Sequence, residues 1–198
     1  MKKFQKIINR KIIGIIPVRM AATRFPGKPL KKISGIEMLT HVFSRSKLYK
    51  NWTSLNVALC DREIKNFCQK KKYPFIITSK KHDRCLDRIY EASTKIKNIK
   101  SNDIVVCVQG DEPMLRPNMI SKAINPIIKN GRSCSVLAMD IIDKKQYLDP
   151  NIVKIIHDIN GRVLYTSRSP IPYSRKFTKS IKAKRIYGIF AFTFGFLK

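Results

Sequence analysis

The chain has 198 residues, 43% of them hydrophobic and 27% charged, an ordinary globular mixture long enough for one sizeable core, which excludes a disordered tail, a collagen and a mini-protein. No stretch approaches the roughly 18 uninterrupted apolar residues of a membrane span, and the run Ile12 to Val18 is short and has no cleavage site behind it, so a cytoplasmic protein without a membrane partner is expected. The net charge of +28 raises the question of a nucleic-acid partner, but the 28 lysines are dispersed in ones, twos and threes, as in Lys31-Lys32 and Lys70 to Lys72, which reads as solvated surface with no dedicated nucleic-acid function.

Along the chain, apolar runs rich in β-branched residues alternate with segments of helical period. Ile12 to Ile16, Leu55 to Leu59, Phe75 to Thr78, Ile104 to Val108 and Ser135 to Ala138 are predicted strands. Met38 to Tyr49, Arg62 to Lys71, Asp87 to Lys97 and Pro117 to Lys129 are predicted helices, the last opening on a proline whose missing N–H does no harm there. This alternation predicts an α/β fold, a mostly parallel Rossmann-like sheet flanked by helices, with ligands at the carboxyl ends of the strands.

The pattern changes near residue 150. Val153 to His157, Asn160-Gly161 and Val163 to Thr166 predict a hairpin with a tight primed turn. A proline-rich stretch, a basic stretch from Arg175 to Arg185 and a last strand, Ile186 to Phe192, follow. The expected organisation is a nucleotide-binding part over 1–150 and a hairpin-containing part over 151–198, within a single domain. Five cysteines without a C-x-x-C pair read as reduced thiols.

Two segments carry chemistry. After the first strand, Pro17-Val18-Arg19-Met20-Ala21-Ala22-Thr23-Arg24-Phe25-Pro26-Gly27-Lys28-Pro29 offers backbone donors, a hydroxyl and three cations to one concave spot. That suits a triphosphate, although neither G-x-G-x-x-G nor a P-loop occurs; a basic surface turn is the alternative. The second, Val105 to Val108 followed by Gln109-Gly110-Asp111-Glu112-Pro113, runs a buried strand into two carboxylates. An acidic residue there suits magnesium beside phosphates, the alternative being a Gly-Asp turn leading into a helix.

Taken together, these segments resemble the sugar nucleotidyltransferases, and among them the 3-deoxy-manno-octulosonate cytidylyltransferases. The resemblance extends through Ile33 to Met38, His41-Val42, Ala58 to Asp61, Thr78 to Arg88, Asp149 to Asn151, Val153-Lys154 and Tyr165 to Pro172. It implies that Arg19, Thr23, Arg24 and Lys28 hold the triphosphate of CTP. Ala58, Cys60 and Asp61 would lie beside cytosine and ribose, with Arg88 a further nucleotide contact. Gln109 would bridge nucleotide and sugar, Asp111 would hold Mg2+, and Arg168 would face the sugar carboxylate. The implied reaction transfers CMP from CTP to a sugar acid with release of pyrophosphate, in a homodimer, with Arg19, Lys28 and Asp111 as its catalytic residues.

Three departures stand out. Arg84-Cys85-Leu86 occupies the place of a Ser-Gly-Thr in the family pattern, and Ile186 and Phe190 occupy those of a His and a Tyr that face the sugar. The lost groups form hydrogen bonds, which a sugar site uses to discriminate; a different acidic sugar is therefore a second expectation. The family's second metal-binding aspartate belongs to a segment beyond Lys198, so a chain cut short of that segment is expected.

Overall fold

The run Ile12-Ile13-Gly14-Ile15-Ile16-Pro17 becomes β1 (Ile12–Pro17), and its β-branched residues suit a strand covered on both faces. Ile13, Ile15 and Ile16 have no exposed surface. The computed structural model describes residues 10–21 and 25–198, so Thr23 and Arg24 lie outside the described residues. Two compact units make up the chain: Met1–Ser135 with Gly188–Lys198, and Val136–Tyr187.

In the first unit β1 pairs in parallel with β4 (Ser54–Leu59) and β6 (Ile104–Val108), and β4 pairs in parallel with β5 (Phe75–Ile77). Between β1 and β4 lie a short hairpin, β2 (Lys32–Ile33) with β3 (Ile36–Glu37), and helix α1 (Met38–Lys47). Helix α2 (Arg62–Lys71) follows β4 and buries Ile64 and Cys68, one turn apart. Helix α3 (Cys85–Thr94) sets Ile89 and Ala92 into a core formed with Ile13, Ile15, Ala58, Val105 and Cys107. Helix α4 (Pro117–Asn130) buries Ile120, Ala123, Ile124 and Ile127 and ends at Gly131 in the left-handed conformation.

Strand β7 (Cys134–Asp140) leads out of the first unit. The second unit holds α5 (Lys144–Leu148), β8 (Lys154–His157) and β9 (Val163–Ser167), paired antiparallel. Its core gathers Ile141, Tyr147 and Ala183 with Phe177 and Ile181. Lys154 is wholly buried there, and its ammonium donates to the carbonyls of Asp149 (2.5 Å) and Arg168 (2.9 Å). Strand β10 (Lys184–Thr193) begins in this unit, where it pairs with β8. It finishes in the first, where Ile189 to Thr193 pair antiparallel with β6 before the short helix α6 (Phe194–Leu197).

The parallel α/β core thus forms as expected. The units, however, part at 135/136 and 187/188 instead of at 150, and the last strand returns to the first unit because its second half is bonded to β6. The primed turn also needs correction. A two-residue primed turn requires positive φ at its first central residue, here Asn160, but of the two central residues only Gly161 has it (φ +77). Instead Asp158 spans the loop, its Oδ1 accepting the N–H groups of Asn160 and Arg162 and its own N–H donating to the Arg162 carbonyl.

Candidate active site

Because β1 and β6 are adjacent and parallel, their carboxyl ends open on the same side. The chain leaves β1 through Val18 and Arg19 and leaves β6 through Gln109, Gly110 and Asp111. Between them lies a cavity of about 390 Å³ lined by Arg19, Lys28, Cys85, Arg88, Gln109 and Asp111, among others. Gly110 is what lets the two exits press together: a Cβ there would stand 2.5 Å from Val18 Cγ1 and 2.8 Å from the Pro17 carbonyl oxygen.

The loop after β1 is tied down by its backbone. Val18 N–H donates to the Ala58 carbonyl and Gly27 N–H to that of Met20. Met20 N–H donates to Asp61 Oδ2 at 2.9 Å. This folding returns Lys28 to the cavity, where its Nζ lies 2.6 Å from Asp111 Oδ2, both side chains about two-fifths exposed (37% and 44%). The exposed Arg19 adds a second cation to the same wall.

Opposite stands α3. Arg88 is almost fully buried (3% exposed), with Nη1 donating to Thr78 Oγ1 and Nη2 without a hydrogen-bond partner among the described residues. A buried donor left free is costly unless something else accepts from it, so this nitrogen fits an acceptor supplied by a ligand. Three residues further on, Glu91 braces the wall by accepting from the Ser79 amide (2.8 Å) and Lys95 (2.7 Å) and by meeting His82 Nε2. Burial disfavours its charge, yet the bonds from Lys95, Ser79 and His82 prevail and hold the carboxyl down at about 2.

The acidic motif is clamped as well. Gln109 N–H donates to the Gly188 carbonyl (3.0 Å), and Gly188 N–H donates to Glu112 Oε1 (3.1 Å). A Cβ at 188 would lie 2.6 Å from that same oxygen.

Arg19, Lys28, Arg88, Gln109 and Asp111 are therefore brought together. Ala58, Cys60 and Asp61 do not line the cavity: Ala58 is buried in the core, and the Cys60 thiol donates to Asp61, the residue that anchors the loop. Arg168 belongs to the second unit, where its Nη1 donates to the Pro150 carbonyl (3.0 Å). His41 and His157 meet backbone carbonyls, as structural residues do. Cys85 and the Gly188 clamp carry no assignment from sequence. For Cys85 the available signal is the Arg84-Cys85-Leu86 departure.

Among the described residues no three His, Cys, Asp or Glu side chains gather into a metal cage. A single carboxylate at a strand end still fits magnesium, which keeps waters and takes further oxygens from phosphates.

In structure the chain is similar to a CMP:2-keto-3-deoxy-manno-octonic acid synthetase complexed with CTP, with a TM-score of 0.84 and 30% identity over 94% of this chain and 76% of the other. Fold and cavity thus define an α/β protein of the nucleotidyltransferase type. The cytidylyltransferase profile matches residues 13–195, and the chain belongs to that family. It is 36% identical over 195 residues to the 3-deoxy-manno-octulosonate cytidylyltransferase of Thermodesulfovibrio yellowstonii (94% of this chain, 76% of the relative). It is also 36% identical over 189 residues to the 8-amino-3,8-dideoxy-manno-octulosonate cytidylyltransferase of Shewanella sp. strain W3-18-1, with the same coverage. No helix of the described residues is long and apolar enough to cross a membrane.

Proposed function

We propose that the protein transfers CMP from CTP to 3-deoxy-D-manno-octulosonate, releasing pyrophosphate and supplying the activated sugar acid for lipopolysaccharide. The observation that carries this reading is the convergence of Arg19, Lys28, Arg88, Gln109 and Asp111 on one cavity beyond β1 and β6. Arg19 and Lys28 neutralise the triphosphate, joined by Thr23 and Arg24 of the same loop. The free Nη2 of Arg88 donates to an acceptor on the nucleotide, and Gln109 orients nucleotide and sugar toward each other. Arg168 pairs with the sugar carboxylate. Asp111 holds magnesium, which when bound offsets charge on the phosphates.

In the reaction the anomeric hydroxyl oxygen forms a bond to the α-phosphorus, the bond to the pyrophosphate oxygen breaks, and the hydroxyl proton is lost to water. The protein contributes position and charge neutralisation, which lower the barrier without a covalent intermediate. Association of two copies is supported by β9, an edge strand on which Val163, Leu164 and Tyr165 are 44%, 61% and 61% exposed.

A second acceptor, the 8-amino-3,8-dideoxy sugar acid, is favoured by one observation: relatives named for the two sugars are equally similar to this chain. The test is purified protein with CTP, Mg2+ and each sugar acid in turn, following pyrophosphate release. Release with 3-deoxy-D-manno-octulosonate is expected. Preference for the amino sugar would move the assignment to it, and no release with any sugar acid, together with no thermal shift on adding CTP, would end the cytidylyltransferase reading.

A further inference from the structure

Lys154 is the one charged side chain among the described residues with no exposed surface at all. An ammonium is costly to bury, and an apolar side chain of the same volume would avoid that cost. What the charge does here is join two segments of the second unit that are far apart in sequence.

Lys154 opens β8, opposite Ser167 of β9. Arg168 is the first residue past β9, where the strand ladder has ended, and its carbonyl accepts from Lys154 Nζ at 2.9 Å. The same nitrogen donates at 2.5 Å to the Asp149 carbonyl, which also accepts the Ile152 N–H. Asp149 starts a turn that its own Oδ1 shapes by accepting the N–H and the side-chain amide of Asn151 (2.8 and 3.1 Å). Against that turn lies the head of Arg168, with Nη1 donating to the carbonyls of Pro150 (3.0 Å) and Asn151 (3.4 Å). Lys154 therefore holds the arginine at both ends, its backbone directly and its guanidinium through the turn at Asp149.

We propose that Lys154 is a positioning residue for the acceptor, setting the orientation in which Arg168 receives the carboxylate of the sugar acid. This role presupposes that Arg168 pairs with that carboxylate, as proposed above.

A guanidinium recognises a carboxylate best through two parallel N–H···O bonds, which demand one plane and one direction of approach. With Nη1 engaged by the turn, the plane of Arg168 is set, and the edge carrying Nε and Nη2 is left to take both carboxylate oxygens. Without the ammonium the arginine keeps its charge but loses the frame that aims it. The damage should fall on the sugar acid and spare CTP, whose triphosphate is neutralised by the loop after β1.

The experiment is steady-state pyrophosphate release by the full chain and by Lys154→Met, Arg168→Gln and the double variant. CTP and 3-deoxy-D-manno-octulosonate are varied separately, with thermal denaturation alongside. Lys154→Met should raise the KM for the sugar acid about tenfold while the KM for CTP stays within about twofold. The double variant should be no worse than Arg168→Gln alone, because a residue that acts only through another adds nothing once the other is gone. Additive losses, or an equal rise in both KM values, would make Lys154 a general support of the fold and overturn the proposal. A sugar KM unmoved by Lys154→Met but raised by Arg168→Gln would overturn the role of the lysine alone. A sugar KM unmoved by Arg168→Gln would remove the assignment of that arginine and the proposal with it. No release by the wild type would overturn the reading on which both depend. Should Lys154→Met not fold, Asp149→Ala loosens the same turn with the lysine in place. It must then show the same sugar-selective, non-additive loss, and an additive loss or none would overturn the proposal.

Discussion

Lys28 and Asp111, 83 positions apart in sequence, meet at 2.6 Å across the cavity between the exits of β1 and β6. Both remain substantially exposed, so the pair contributes at most about 1 kcal/mol to stability. Its significance is chemical: the cation and the carboxylate that the proposed reaction needs are already side by side, each neutralising the other.

Asp111→Asn should therefore lower turnover by about 100-fold or more while leaving the melting temperature within a few degrees of wild type. Lys28→Met should raise the KM for CTP as well as lower kcat. Steady-state kinetics beside thermal denaturation separates the two effects, and a large loss of stability in Asp111→Asn would show that the carboxylate holds the fold instead of the reaction.

Gly110→Ala should be destabilising by about 1–3 kcal/mol, since its methyl would meet both Val18 and the Pro17 backbone. The same contact would push apart the two exits that shape the cavity. Urea denaturation with and without CTP measures both consequences; an unchanged midpoint and unchanged CTP binding would contradict the close approach.

The Glu91 brace predicts an acid-sensitive term in stability. Its carboxyl lies near 2 in the folded chain against 4.5 for the ordinary group. A depressed carboxylate stabilises the native state fully above its unfolded value, and that contribution fades as pH falls from about 4.5 toward 2. Wild type should exceed Glu91→Gln by about 1–3 kcal/mol at pH 7, and the gap should shrink below pH 4.5. A gap independent of pH would assign the effect to packing.

The exposed edge strand gives a prediction about assembly. If β9 is where two copies meet, Leu164→Glu should shift the mass measured by light scattering from dimer to monomer, with catalytic residues of the first unit untouched. A monomeric wild-type chain would remove β9 from that role.

Much of this arrangement is legible in sequence for a physical reason. Strands buried on both faces are forced to be β-branched, so Ile104 to Val108 can be bounded to the residue, and α2 shows its helical period plainly. Helix α3 is harder to bound: it begins at Cys85 instead of Asp87, because Arg84 makes no side-chain cap and no Ser, Thr, Asp or Asn marks the start. In the loop after β1 the charges could be read, but the hydrogen bond from Met20 to Asp61 could not, since 41 residues separate them. Resemblance assigned Asp61 to the nucleotide; in the structure its Oδ2 accepts the Met20 N–H. The departure at Arg84-Cys85-Leu86 was visible, and the structure places Cys85 at the first turn of α3 on the cavity wall.

Gly188 has a consequence for how such a chain can vary. The inserted unit from 136 to 187 is joined to the rest at two crossings, and the second falls where Glu112 and Gln109 grip the backbone. A side chain at residue 188 would displace the Glu112 carboxylate from the Gly188 N–H. A hybrid that exchanges the 136–187 unit of this chain should therefore keep glycine at the second junction.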